Sequence, residues 1–201
     1  MRLTIPTEPI GSIPRPGALI RAIGERDSED PALDALYDEA IRDTIERFES
    51  TGFPVMDDRQ RLGVHTCPGG DLDSTHSADV DYADLLPSLF ELMVGSFYIA
   101  LAAEADRVRV LRIIRDHLKP HQRVFIGVIA TIDPHIETPE QLRDRTLEAA
   151  EFIPLEQLGT TDDCGFAPFC DDMSTSRDTA FAKIGARVVG TTLASRILGG
   201  D

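Results

Sequence analysis

Basic residues are scarce in this chain: 20 Lys and Arg stand against 35 Asp and Glu among 201 residues, a formal net charge of −15. So acidic a surface repels phosphate backbones and anionic headgroups, which argues against nucleic acid and membrane partners. Long apolar runs are lacking too. No stretch approaches the ~20 apolar residues needed to span a bilayer, and Met1 to Arg15 holds Glu8 and three prolines in place of a signal-peptide core. A cytoplasmic protein is expected. Cysteine is sparse and odd in number, with Cys67, Cys164 and Cys170 only. Without a secretory signal this points to thiols or metal ligands and away from a disulfide framework. No repeat and no low-complexity tract divides the chain, so residues 1–201 read as one domain with a substantial core.

The stretch Ile5 to Pro16 is too proline-rich for a helix or central strand, and reads as an extended arm that turns at Gly11-Ser12. Asp30 and Pro31 cap a helix whose apolar residues Leu33, Leu36, Tyr37, Ala40, Ile41, Ile45 and Phe48 recur at the helical period, predicting one buried face up to Gly52. Phe53 to Met56 is a short strand candidate. A second, Leu62 to Cys67, breaks into Pro68-Gly-Gly70, and the polar stretch Asp71 to Tyr82 reads as a loop. Pro87 suits the first turn of a helix that would bury Leu85, Leu86, Leu89, Phe90 and Met93 and close at Gly95. Phe97 to Leu101 reads as a buried strand, Val108 to Leu118 as a helix, and Arg123 to Ile129 as a strand buried on both faces. Thr138-Pro-Glu-Gln141 has the form of a capping box that opens a helix ending before Pro154. Leu155 to Thr161 is the last strand candidate, and a long helix carrying Ala180, Phe181, Ile184, Val188 and Leu198 on one face follows.

Strands alternating with helices imply parallel βαβ units, whereas an eight-unit barrel takes ~250 residues. The expected fold is therefore α/β with about five strands and an extended N-terminal arm, either as an incomplete (β/α) barrel or as an open sheet. Residues 1–56 would supply arm, helix and first strand, and residues 57–201 the remainder.

Chemistry-bearing residues gather at the carboxyl ends of these strands. Side chains two apart on a strand share a face, so His65 and Cys67 would sit side by side. Glu104 follows the third candidate, Asp133 the fourth and Cys164 the last, on the edge where parallel sheets build their sites. Zinc takes imidazole, thiolate and carboxylate ligands, usually four, and a catalytic site leaves one position to substrate. His65, Cys67 and Cys164, with Glu104 as a fourth, supply those types. The plainer readings are a packed imidazole and packed thiols. His76 and Cys170 compete as ligands, and His117, His121 and His135 read as surface caps near helix ends.

Ile10-Gly-Ser-Ile-Pro-Arg15, Gly63-Val-His65-Thr-Cys67 and Asp163-Cys164-Gly165 together resemble the motifs of the cobalamin-independent methionine synthase family, most of all its short single-barrel members. The resemblance runs over nearly all of Met56 to Gly199 and the N-terminal arm. It implies a TIM barrel with Zn2+ held by His65, Cys67, Glu104 and Cys164. It implies that Ile10, Gly11 and Ser12 hold the amino acid end of homocysteine. It further implies that the metal-bound thiol takes a methyl group from a methylated folate to give methionine, because a thiol on a metal loses its proton near neutral pH. Thr51 to Met56 runs almost directly into Arg61 to His65, so the middle of the barrel is missing. Asp57-Asp58-Arg59 is the nearest remnant of the acidic motif expected after the first strand. Two alternatives stand beside this reading. One is a truncated non-catalytic relative that binds zinc or a partner chain, including a homo-oligomer paired through open sheet edges. The other is a zinc hydrolase with Asp133 or Asp163 as base.

Overall fold

The computed structural model describes residues 4–11, 13–26, 30–52, 63–66, 81–167 and 172–199. Helices α1 (Gly17–Glu25) and α2 (Pro31–Ser50) come first, then β1 (Gly63–Thr66), α3 (Tyr82–Leu89), β2 (Ser96–Ile99), α4 (Arg107–His117), β3 (Arg123–Ile129), α5 (Pro139–Ala150), β4 (Leu158–Asp162) and α6 (Arg177–Gly199). The strands pair in the order β1-β2-β3-β4, every pair parallel. This is the α/β architecture expected from alternating strands and helices. Four of the five strand candidates become strands; Phe53 to Met56 lies outside the described residues.

The arm supplies a further rail. Thr7 bridges Thr160 in parallel, the Thr160 N–H donates to Pro6 O at 3.0 Å, and the Glu8 N–H donates to Thr160 O at 2.9 Å. Pro6 and Pro9 sit where the ladder asks for no donor, which is how proline is tolerated at a sheet edge. Because both polar groups of Thr160 face the arm, the arm lies on the edge of β4 away from β3. The first rail of the chain thus neighbours the last, as at the seam of a barrel. No closed barrel forms among the described residues, where the outer edge of β1 has no strand partner.

Register sets the two faces of the sheet. Val64, Phe97, Val124 and Leu158 align on one face, and His65, Tyr98, Phe125 and Gly159 on the other. The first face carries the core. Phe97, Ile99, Val124, Ile126, Val128 and Leu158 pack with Leu111, Ile114, Leu142, Ala149 and Ile184 from the helices. On the second face Tyr98 stacks on Phe125 with centroids 4.7 Å apart.

Helix boundaries follow local chemistry. Asp30 accepts from the Ala32 N–H at 2.9 Å with Pro31 at the first helical position, and Gly52 at φ +73° ends α2. The capping box of α5 is complete, Thr138 and Gln141 each bonding the other's backbone. Elsewhere the expectations need correction. Helix α1 follows the arm directly, in a stretch for which the sequence pattern predicts no element, its first turn set by Pro16, whose carbonyl accepts from Leu19 and Ile20. Helix α3 begins earlier than Pro87 suggests, because Asp81 caps it by accepting from the Ala83 N–H at 2.8 Å. Pro87 therefore lies inside the helix, which stops two residues later and leaves Met93 99% exposed. The stripe expected to be buried on α2 is buried only in part: Leu33 and Ala40 are covered, while Tyr37, Ile41 and Ile45 are 42%, 57% and 54% exposed. Phe48 meets Phe181 edge-on at 5.3 Å, and Asp43 pairs with Arg177, so α2 docks on α6 through its last turns.

Helix α6 carries two buried cations that hold the sheet. Lys183 Nζ donates to Glu137 Oε2 at 2.9 Å and to Ala130 O at 3.0 Å. Arg187 Nε lies 3.2 Å from Asp162 Oδ1, and Arg187 Nη1 donates to the carbonyls of Glu8 and Thr160. Burial pushes the Asp162 carboxyl up to about 6, against the opposing pull of Arg187. An acid whose folded pKa exceeds its unfolded value of about 3.9 holds a proton longer when folded. Its stabilising share is therefore complete below about pH 4 and is lost as pH rises through about 6. We expect wild-type stability to fall relative to Asp162→Asn between about pH 4 and about pH 7. Urea midpoints of both proteins across that range check this, and parallel profiles would contradict it.

Candidate metal and substrate site

His65 occupies the third position of β1, opposite Tyr98 on β2. Its Nδ1 lies 3.2 Å from the Tyr98 carbonyl oxygen. That contact calls for a proton on Nδ1 and turns the Nε2 lone pair outward from it. Nε2 is buried and has no hydrogen-bond partner among the described residues. A backbone carbonyl orienting one nitrogen while the other stands unengaged is the usual arrangement of a metal-ligating histidine. Tyr98 is itself held, its hydroxyl donating to Glu8 Oε2 at 2.6 Å. Burial and the Glu8 carboxylate both push the phenol pKa up, so Tyr98 remains a donor at any working pH.

On the opposite side of the sheet the arm meets the loop after β4. Gly11 adopts φ +70°, and a Cβ there would stand 2.7 Å from Gly165 Cα. The close approach and the left-handed backbone both require glycine. Ile10-Gly11 therefore lies against Cys164-Gly165, and the Cys164 thiol is half-buried beside them. The Ile10 N–H favours the ionised Asp162 carboxylate.

Asp163 joins the second and fourth strand ends. Buried, it accepts from the Leu101 and Ala102 N–H groups at 2.7 Å each through Oδ1, and from the Ala103 N–H at 3.0 Å through Oδ2. Burial pushes its pKa up while these three donors and Arg107 pull it down. Glu104 follows directly, half-buried, with Oε1 accepting from the Asp106 N–H at 3.3 Å in the turn that leads into α4.

The sequence-derived residues are thus brought together in part. Ile10 and Gly11 adjoin Cys164, and the Glu104 loop is tied to the residue preceding Cys164. Ser12, Cys67, His76 and Cys170 lie outside the described residues, as does Asp57-Asp58-Arg59. Among the described residues no three His, Cys, Asp or Glu side chains gather closely enough to hold a metal ion. Asp133 accepts from the His135 N–H at 2.9 Å in an exposed turn. The sequence pattern assigns no site role to Glu8, Tyr98, Glu137, Lys183 or Arg187. For the two cations a signal existed: Lys183 and Arg187 are four apart and flank Ile184, on the stripe that the apolar period marks as buried.

No protein-family profile and no curated protein sequence matches this chain. Its structure matches that of a B12-independent methionine synthase from Shewanella sp. W3-18-1, solved in complex with selenomethionine, at a TM-score of 0.56 and 15% identity. The likeness is one of fold. It covers 96% of this chain and 62% of that one, so the chain spans less than two thirds of that synthase's length. A putative vitamin-B12 independent methionine synthase from Listeria monocytogenes aligns over 92% of this chain and 46% of its own, at 18% identity and a TM-score of 0.41. No described helix is long and apolar enough to cross a membrane.

Proposed function

We propose that this chain is a zinc-dependent methyltransferase of the methionine synthase type, moving a methyl group from a methylated folate to the thiol of homocysteine in the cytoplasm. His65 carries the reading. A buried imidazole nitrogen without a partner, aimed by a backbone carbonyl on the other nitrogen, is costly unless something binds it. The donor types fit zinc, with His65 Nε2, the thiolates of Cys67 and Cys164, and the Glu104 carboxylate as the ligand set. Zinc would supply a Lewis acid that favours the thiolate of a bound thiol at neutral pH. Ile10, Gly11 and Ser12 would meet the carboxylate of homocysteine. Tyr98 fixes the tautomer of His65 through its carbonyl and keeps a hydroxyl proton on Glu8.

Stoichiometric zinc is the expected result of metal analysis, with loss on Cys67→Ser or His65→Ala, and homocysteine should release a proton on binding. A purified chain without zinc, or with zinc indifferent to homocysteine, would overturn methyl transfer.

A second reading is a truncated relative that holds zinc or pairs with a partner chain, including another copy through open sheet edges. The exposed stripe Tyr37, Ile41 and Ile45 and the unpaired outer edge of β1 among the described residues favour it. Zinc without any response to homocysteine is the outcome this reading expects.

A further inference from the structure

We propose that Asp163 is the positioning residue of the site, a single carboxylate that sets the separation between the loop bearing Glu104 and the loop bearing Cys164. The inference rests on the ligand set proposed above. Three consecutive N–H groups, of Leu101, Ala102 and Ala103, converge on its two oxygens at 2.7, 2.7 and 3.0 Å. The Asp163 N–H donates to Ile129 O at 2.9 Å, so the same residue also grips the end of β3. Arg107 holds the far side of that loop, its Nη1 donating to Leu101 O at 2.7 Å while its Nε bonds Glu148. Gly127 makes room for the carboxylate: a Cβ there would lie 1.9 Å from Asp163 Oδ1. One residue beyond Ala103 stands Glu104, and one residue beyond Asp163 stands Cys164. The spacing of these two ligands is therefore fixed by short, charge-assisted bonds to backbone, independent of their own side-chain rotamers.

Asp163→Asn tests this with shape preserved. An amide can keep one oxygen on Leu101 and Ala102, but it turns an N–H2 donor toward the Ala103 N–H, next to Glu104. The probe is Co(II) in place of zinc, read by its thiolate charge-transfer and d–d absorption bands. Wild-type protein is expected to give tetrahedral bands, and Asp163→Asn to shift them and weaken Co(II) binding by about tenfold or more. Ala103→Pro, which deletes the donor to Oδ2 and leaves the carboxylate itself in place, should move the bands the same way by less. Leu111→Ala, a core truncation on α4 that touches none of the bonds to Asp163, should lower the melting temperature and leave the bands unchanged. Asp163→Asn and Ala103→Pro with wild-type bands and affinity would overturn the positioning role, as would a matching shift in Leu111→Ala. A wild-type chain that binds no Co(II) would overturn the metal site itself, a different result.

Discussion

Arg187→Ala is expected to cost about 3–5 kcal/mol of folding stability at neutral pH, the range for removing one partner from a buried ion pair. Arg187 and Asp162 are both fully enclosed, and burial works against both charges: it pushes the carboxyl up and the guanidinium down. Neither Asp162 oxygen has a well-aligned hydrogen bond in reserve, so removing the cation strands the anion. The loss is double, because the guanidinium also bonds the Glu8 and Thr160 carbonyls and so clamps the arm against β4 and α6. Acid should relieve it. Near pH 5 Asp162 takes up a proton, and the penalty of Arg187→Ala shrinks toward the lost backbone contacts alone. Chemical denaturation at both pH values checks the prediction. A penalty below ~1 kcal/mol at neutral pH, or one that grows in acid, would refute the account. Replacing both members with apolar residues of similar volume should restore much of the loss, since the pair contributes less through attraction than either charge costs alone.

Gly127→Ala follows, with an expected cost of about 3 kcal/mol or more. The added methyl would stand 1.9 Å from Asp163 Oδ1 and 2.9 Å from Leu101 N. Neither neighbour can yield: the carboxylate is pinned by three N–H groups, and the other atom is backbone. Strand β3 is buried along this stretch, so it cannot move outward either. Asp163→Gly removes the nearest atom in collision and leaves only the milder approach to Leu101 N. If the clash is the cause, Gly127→Ala should cost far less in an Asp163→Gly background, and a double-mutant cycle of melting temperatures reads that coupling. Additive losses would place the cost elsewhere.

Much of this molecule is written locally. The run Arg123 to Ile129 becomes a strand with the expected bounds, because the uncharged stretch Val124 to Ile129 is satisfied by burial on both faces. The Thr138–Gln141 box and the Asp30-Pro31 cap likewise act within a few residues and are legible without any tertiary knowledge. Alternation of strands and helices sufficed for a parallel sheet, and the placement of His65, Glu104 and Cys164 near strand carboxyl ends followed from it. Locality also explains the errors. Helix α3 was obscured because Asp81 lies in a polar run that also suits a loop, and its capping role shows only once Tyr82 is seen buried with its hydroxyl on Ala100 O.

What tertiary structure alone decided is the pairing of distant groups. Nothing near Thr7 in the chain reveals that it lies on Thr160, since a proline-rich arm has no periodicity and the ladder is chosen by the free edge of β4. The exposure of Tyr37, Ile41 and Ile45 depends on which neighbours α2 finds, and a helical period reports only that those residues share a face. Lys183 and Arg187 are buried because Glu137, Asp162 and three backbone carbonyls converge on them from other elements. The sequence by itself determined which imidazole, thiol and carboxylate groups are present and the strand ends that carry them. Asp163 and Tyr98 decide how those ends are held, through backbone groups whose identity no side-chain pattern encodes.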